Sequence, residues 1–255
     1  MNRHVKKQLS SNKVIVIAVT GTPPEKALNI YGDFSQWIST HSNTESPQDF
    51  CVVDTTQTFT FPESKYIAGV IITGSPAMVT AREPWSLNVE SWITHLIDQN
   101  IPILGICYGH QLLAQALGGK VDFHPLGREI GTVPIKLTHH SRHDPLFSQS
   151  PSQFYANVTH AQSVVKLPPG SVLLGKNDYE PIQAFRFHES VWGVQFHPEF
   201  TADIMRFYLF ERFDSLKEQG LDIKELFDNI KTTPDSRAVL DNFIALCLAP
   251  NYSSD

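Results

Sequence analysis

The chain has 255 residues, 41% of them hydrophobic, with 20 basic against 26 acidic side chains and a formal net charge of -6. That composition excludes a disordered chain, and the acidic balance gives no electrostatic footprint for a nucleic-acid partner. Three cysteines, Cys51, Cys107 and Cys247, are too few and too odd a number for a disulfide framework, so a reducing compartment, the cytoplasm, is expected. No apolar run approaches the ~18 residues of a membrane span, and no signal peptide is visible, so no membrane association is expected.

In chain order, residues 1–13 form a polar lead, expected to be flexible. Val14–Thr20 (VIVIAVT) then gives a continuous β-branched run closed by Gly21 and Pro23-Pro24, the pattern of a strand buried on both faces. The same form recurs at Phe50–Thr55, Ile67–Thr73 and Ile101–Cys107, with helix-compatible segments near Ala27–Thr40 and Leu87–Gln99 between them. Strand and helix in alternation predict βαβ units: an α/β fold with an open, mostly parallel sheet flanked by helices. Shorter runs over Lys120–Thr138 and Phe154–Phe187, broken by turn residues, predict an antiparallel extension of that core. From Thr201 onward the period changes to 3.6, at Ile204, Phe207 and Tyr208 and again at Val239, Leu240, Phe243, Ile244 and Cys247 after Pro234. Two or three terminal helices are expected, their aromatic stripes serving as core. Residues 14–200 are thus expected to form one α/β domain and 201–255 a helical extension packed on it.

The chemistry concentrates in Ile103–Gly119, ILGICYGHQLLAQALGG. An apolar strand enters Gly105-Ile106-Cys107-Tyr108-Gly109 and leaves as a helix. This is the cysteine version of the nucleophile elbow, whose glycines permit a sharp turn that exposes the reactive side chain. A helix N-terminus also offers orphan N–H groups and a positive dipole end to a thiolate. Cys51, in a strand run, and Cys247, on an apolar helix stripe, are expected to be buried core thiols.

A nucleophilic cysteine needs a base and a group that orients the base. Val191–Phe200, VWGVQFHPEF, supplies His197 and Glu199. Extended backbone would send two side chains at that spacing to the same side, with Pro198 keeping the pair out of a helix. The third element is Gly69–Met78, GVIITGSPAM, a buried strand ending in a tight turn. Its N–H near Gly74-Ser75, with that of Tyr108, would make a two-donor oxyanion hole. His139, His140 and His143 stand in a polar turn without a cysteine, so no metal is expected there; His110 is expected to be structural and His124 to sit in a turn.

These motifs occur in one order: ITGSP at 72–76, GICYGHQ at 105–111, PLGREIG at 125–131, THAQSV at 159–164, LPPG at 167–170, QAFR at 183–186 and GVQFHPE at 193–199. In that order they resemble the class I (triad) glutamine amidotransferases, above all free-standing relatives of the GMP synthetase glutaminase domain. The resemblance implies a flavodoxin-like fold with a C-terminal helical extension, and release of ammonia from the glutamine side chain through a cysteine thioester. It implies Cys107 as nucleophile, His197 as base and then acid, Glu199 as its orienter, and Gly74 and Tyr108 as oxyanion donors. Substrate contacts would come from Ser75, Gln111 and backbone at Ala161 and Gln162. Two departures stand out: Gly-Ser-Pro at 74–76 where many members have Gly-Gly-Pro, and Ala161-Gln162 where the synthetase domain usually has Gly-Asp. No cofactor is expected.

Three functions remain open on the sequence. The chain could be a glutaminase subunit serving a separate synthetase chain, since no phosphate-binding loop is visible and the ~55 residues after Phe200 are too few for an ATP-binding domain. It could hydrolyse γ-glutamyl peptides or other γ-glutamyl amides alone. Or it could be a non-catalytic regulatory or binding module, against which the complete Cys, His and Glu set argues.

Overall fold

A computed structural model describes residues 13–40, 49–57 and 59–249. The expected lead therefore falls outside the described residues apart from Lys13. Five strands make the parallel half of a nine-stranded sheet: β1 (Val14–Val19), β2 (Phe50–Asp54), β3 (Ile67–Ile72), β4 (Ile103–Ile106) and β11 (Val191–Val194), in the order β2-β1-β3-β4-β11. Ile17 faces Val52 on one side and Ile71 on the other, Ile71 pairs with Leu104, and Leu104 with Trp192. The sheet then continues in antiparallel fashion through β10 (Ala184–Phe187), β9 (Ser171–Lys176), β6 (Glu129–Leu137) and β7 (Gln153–His160). β5 (Lys120–Phe123) and β8 (Gln162–Lys166) form a separate two-stranded ribbon.

Because side chains alternate across a strand, the parallel strands feed two cores at once. Ile15, Ile17, Ile71, Leu104 and Trp192 meet helix α8 (Pro234–Leu248) through Val239, Leu240 and Phe243. Val16, Ala18, Val70, Ile72 and Ile103 meet helices α3 (Pro84–Asp98) and α4 (Tyr108–Ala116) through Ile93, Leu96, Leu112 and Leu113. Burial on both faces is why these strands are apolar without alternation. Cys247 lies in the first core, its thiol pushed up by burial. The space above Gly69 on β3 receives its sulfur, which would lie 2.2 Å from any Cβ added there. Cys51 is half-buried rather than buried, because β2 is the sheet's edge strand and has a neighbour, β1, on one side only.

Where one helix is expected over residues 27–40, there are two: α1 (Glu25–Tyr31) and α2 (Phe34–Ser39). Gly32 adopts φ 83 at the break, and Asp33 restarts the helix with a reciprocal capping box to Gln36. The C-terminal part contains α5 (Ala202–Glu211), α6 (Phe213–Glu218) and α7 (Ile223–Asp228) before α8, four helices in place of two or three. α5 and its neighbours build a third core, in which Ile204, Met205, Tyr208 and Leu216 pack with Phe34, Trp37 and Phe200. No helix among the described residues is long and apolar enough to cross a membrane.

Candidate active site

The carboxyl ends of four neighbouring strands, β1, β3, β4 and β11, deliver Thr20, Gly74, Cys107 and His197 to one place, the crevice where open α/β sheets characteristically bind ligands. Cys107 is the single residue between β4 and α4 and carries φ 52, ψ -98, a conformation that costs a non-glycine residue and persists only where its surroundings impose it. The surroundings are visible in the flanking glycines. A Cβ on Gly105 would lie 2.4 Å from the Gly109 carbonyl oxygen, and one on Gly109 2.4 Å from that of Ile72. The elbow closes because backbone packs directly on backbone at both positions. Cys107 is 6% exposed, and its Sγ lies 3.8 Å from the Thr159 carbonyl oxygen.

His197 reaches the site by a route different from the extended one expected. β11 ends at Val194; His197 forms an isolated bridge with Asn157 and opens a turn closed by the Phe200 N–H on the His197 carbonyl (3.3 Å). Pro198 occupies the second position of that turn, where its fixed φ is preorganised. The turn, not strand alternation, brings the side chains together: His197 Nδ1 lies 2.7 Å from Glu199 Oε1, both groups nearly inaccessible. Burial acts to discharge the imidazole, but the Glu199 carboxylate and the Cys107 sulfur outweigh it and hold His197 protonated above its ordinary range. Its ring stacks on Phe200 at 4.1 Å, and its Nε2 is buried without a closed hydrogen bond.

Gly74 completes the convergence. A Cβ there would lie 2.9 Å from His197 Cε1 and 3.7 Å from Cys107 Cβ, so the peptide at the end of β3 runs directly beside both side chains. Two hydroxyls hold it: that of Thr20 lies 2.9 Å from the Thr73 carbonyl oxygen and 3.1 Å from that of Gly74, and that of Thr73 lies 3.0 Å from the Gly74 carbonyl oxygen. Ser75 lines the cavity, but its hydroxyl donates to the Thr20 carbonyl (2.7 Å) and accepts from the Ala77 N–H. Tyr108 supplies the first N–H of α4, a position that has no partner within a helix, and its phenol bonds to Ser86.

The cavity above the thiol measures about 350 Å³. Gln111, Ala161 and Gln162 all line it. The Gln111 amide donates to the Gln162 carbonyl (2.7 Å) and to Gln195 Oε1 (2.9 Å), and the Gln162 side chain donates to Thr80 (2.6 Å), so hydrogen bonds tie this wall together, with the Gln195 amide nitrogen left buried and unpaired. His110 stays out of the cavity, packed on Phe185, and burial lowers it to about 3, which keeps it neutral. His124 stacks on Tyr179, and His139, His140 and His143 lie in a short 3-10 segment packed against β9 and do not line the cavity. Among the described residues no cluster of His, Cys, Asp and Glu is placed to hold a metal.

Four contributors escape a linear reading: Thr20, Gln195, Arg128 and Arg212. Arg128 stands inside the PLGREIG motif and could have been singled out there. Arg212, at the end of α5, carries no local signal, because only packing of the helices brings it to the cavity.

The family model described as glutamine amidotransferase class-I matches residues 28–216. The chain is 36% identical over 150 residues to the glutamine-hydrolysing GMP synthase of Thermosipho africanus, covering 58% of this chain and 27% of that protein. It therefore spans about a quarter of such full-length relatives. One subunit of the glutamine-hydrolysing GMP synthase of Pyrococcus furiosus is 35% identical over 144 residues, 54% of this chain and 72% of that one. Among solved structures, a glutamine amidotransferase from Methylobacillus flagellatus superposes with a TM-score of 0.71 at 22% identity (93% of this chain, 95% of the other), and one from Thermotoga maritima with 0.67 at 20% (92% and 97%). At such identities these superpositions speak to the fold, which is the class I amidotransferase fold with C-terminal helices.

Proposed function

Because the chain belongs to the class I glutamine amidotransferase family, we propose that it is a thiol amidohydrolase that releases ammonia from the glutamine side chain. The observation that carries this reading is the convergence on Gly74, where thiol, imidazole and a strand-end peptide share one spot. Cys107 Sγ attacks the side-chain amide carbon. The oxygen that gains charge is met by the N–H groups of Gly74 and Tyr108. The raised, Glu199-paired imidazolium of His197 gives its proton to the amide nitrogen, the C–N bond breaks, and ammonia leaves with a glutamyl thioester on Cys107. Neutral His197 then takes a proton from water, whose oxygen attacks the thioester carbon; the C–S bond breaks and glutamate departs.

Gln111 and the backbone at Ala161 and Gln162 form the wall that would hold the amino-acid end of the substrate. Similarity to a single subunit of a GMP synthase supports a separate synthetase chain as the recipient of the ammonia. The test is glutamate release from glutamine by the purified chain, beside Cys107→Ala. Turnover that vanishes in the variant is expected, and turnover that survives it would overturn the reading.

A further inference from the structure

Two buried residues of the ordered motifs take no part in the reaction as described: Glu129, in PLGREIG, and His160, in THAQSV. The antiparallel register of β6 and β7 sets them directly opposite each other, and His160 Nε2 lies 2.9 Å from Glu129 Oε2. The other ring nitrogen, Nδ1, lies 2.9 Å from the Gln162 carbonyl oxygen. A carbonyl oxygen can only accept, so Nδ1 carries a hydrogen. Glu129 is an acceptor as well. Its Oε2 also receives the Gln183 amide (2.8 Å), and its Oε1 receives the amide nitrogen of Asn177 (2.7 Å), whose amide oxygen is taken by the Tyr179 N–H. Nε2 must therefore donate too, which makes His160 an imidazolium on a carboxylate, a second His–Glu pair beside the cavity of Cys107. Glu180, another buried carboxyl group, bonds to Ser163 and the Ile182 N–H and leaves the ring to Glu129.

A buried ion pair loses hydration at both ends and is a poor source of stability, so what it holds in place matters more. This one holds the Gln162 carbonyl. The same oxygen accepts from Gln111 Nε2 (2.7 Å), whose second hydrogen goes to Gln195 Oε1 (2.9 Å). Both amide hydrogens of Gln111 are thereby spent, and the polar atom that this cavity-lining side chain keeps for a ligand is Oε1, an acceptor. Without the imidazolium the carbonyl loses a charge-assisted partner, and the Gln111 amide is freer to turn its nitrogen to the cavity instead.

We infer that Glu129 and His160 are positioning residues for the α-ammonium of the substrate: the pair holds the Gln162 carbonyl, the carbonyl holds the Gln111 amide, and Gln111 Oε1 receives the ammonium. The inference rests on the thiol amidohydrolase reading and names the group of glutamine that this wall selects. Neither residue touches the amide that is cleaved, so the chemical steps are unchanged, and a substrate with no α-ammonium gains nothing from this chain of bonds.

The test compares glutamine with glutaramate, which lacks the α-ammonium alone, on the full chain and on Glu129→Gln, where an amide of nearly the same size replaces the carboxylate. In the native chain kcat/KM should favour glutamine by about tenfold or more, as for a charge-assisted hydrogen bond. Glu129→Gln should cut that ratio to about threefold or less, through a higher KM for glutamine at a kcat within about threefold of native, and Glu129→Asp should restore part of it. A native ratio near one overturns the proposal. So does a variant that lowers kcat for both amides at an unchanged ratio, which would leave the pair a merely structural one. Nitrogen NMR of the His160 ring reads the pair without turnover: two protonated nitrogens at neutral pH in the native chain and one in Glu129→Gln are expected, and a singly protonated native ring overturns the proposal. If the native chain hydrolyses neither amide, the amidohydrolase reading fails and calorimetric binding decides. Glutamine bound more tightly than glutaramate, with the preference lost in Glu129→Gln, supports the positioning role, and equal binding or none overturns it.

Discussion

His197 and Glu199 face each other across a proline turn, Nδ1 to Oε1 at 2.7 Å, in a place from which water is almost wholly excluded. Burial is the largest influence on the imidazole and acts to discharge it; the carboxylate and the Cys107 sulfur reverse that influence. Replacing Glu199 with Gln should therefore move the His197 titration downward, measured by NMR of the ring resonances, and lower kcat/KM by about 10²–10⁴-fold. An unmoved titration would show that the carboxylate does not govern the ring.

The same pair gives a pH dependence of stability. The folded value of His197 is raised, so the stabilisation it contributes is complete below the unfolded value, about 6.5. It is lost as pH climbs through the raised folded value. The urea midpoint of the native chain should fall over that alkaline range, and Glu199→Gln should show a smaller fall; parallel curves would contradict the assignment.

Gly74→Ala places a methyl 2.9 Å from His197 Cε1, closer than carbon atoms pack, and the imidazole must yield. A displacement of the reacting groups by even a fraction of an ångström is expected to lower kcat by about 10²-fold while circular dichroism stays native. Activity within twofold of the native chain would remove Gly74 from the reacting centre.

Thr20→Val deletes the hydroxyl that bonds both the Thr73 and Gly74 carbonyl oxygens; the Gly74 oxygen keeps the Thr73 hydroxyl at 3.0 Å, whereas the Thr73 oxygen loses its side-chain donor. The expected loss is about 1–3 kcal/mol of unfolding free energy in urea, together with slower turnover. Lost activity at unchanged stability would still leave Thr20 as the group that aims the Gly74 peptide; no change in either would dismiss it.

Gly69→Ala drives a methyl into the Cys247 sulfur and should destabilise the docking of α8 on β3 by about 1–3 kcal/mol. Adding Cys247→Ala should restore part of that loss, a non-additivity that a double-mutant cycle would reveal. Strict additivity would show that the two residues do not share the contact.

The amino-acid sequence by itself determined whatever follows from neighbours along the chain. Unbroken β-branched runs specify doubly buried strands, and Gly105 and Gly109 specify an elbow because no side chain fits there. The order of strands and helices specifies an α/β sheet with its reactive loops at one edge. His197 and Glu199 were also legible as a pair, although the turn that joins them was not: Pro198 is compatible with extended backbone and with a turn, and the bridge from His197 to Asn157 that decides between them spans 40 positions. The break at Gly32 and the antiparallel half of the sheet were similarly open until long-range pairing resolved them. Tertiary structure alone decided that Thr20 aims the Gly74 peptide and that Gln195 anchors Gln111. It alone decided that Arg212, at the end of a helix whose sequence shows only an apolar stripe, joins Arg128 beside the thiol. The physical reason is that local sterics and periodicity are written in adjacent residues, whereas the sharing of one cavity by distant side chains depends on how whole elements pack.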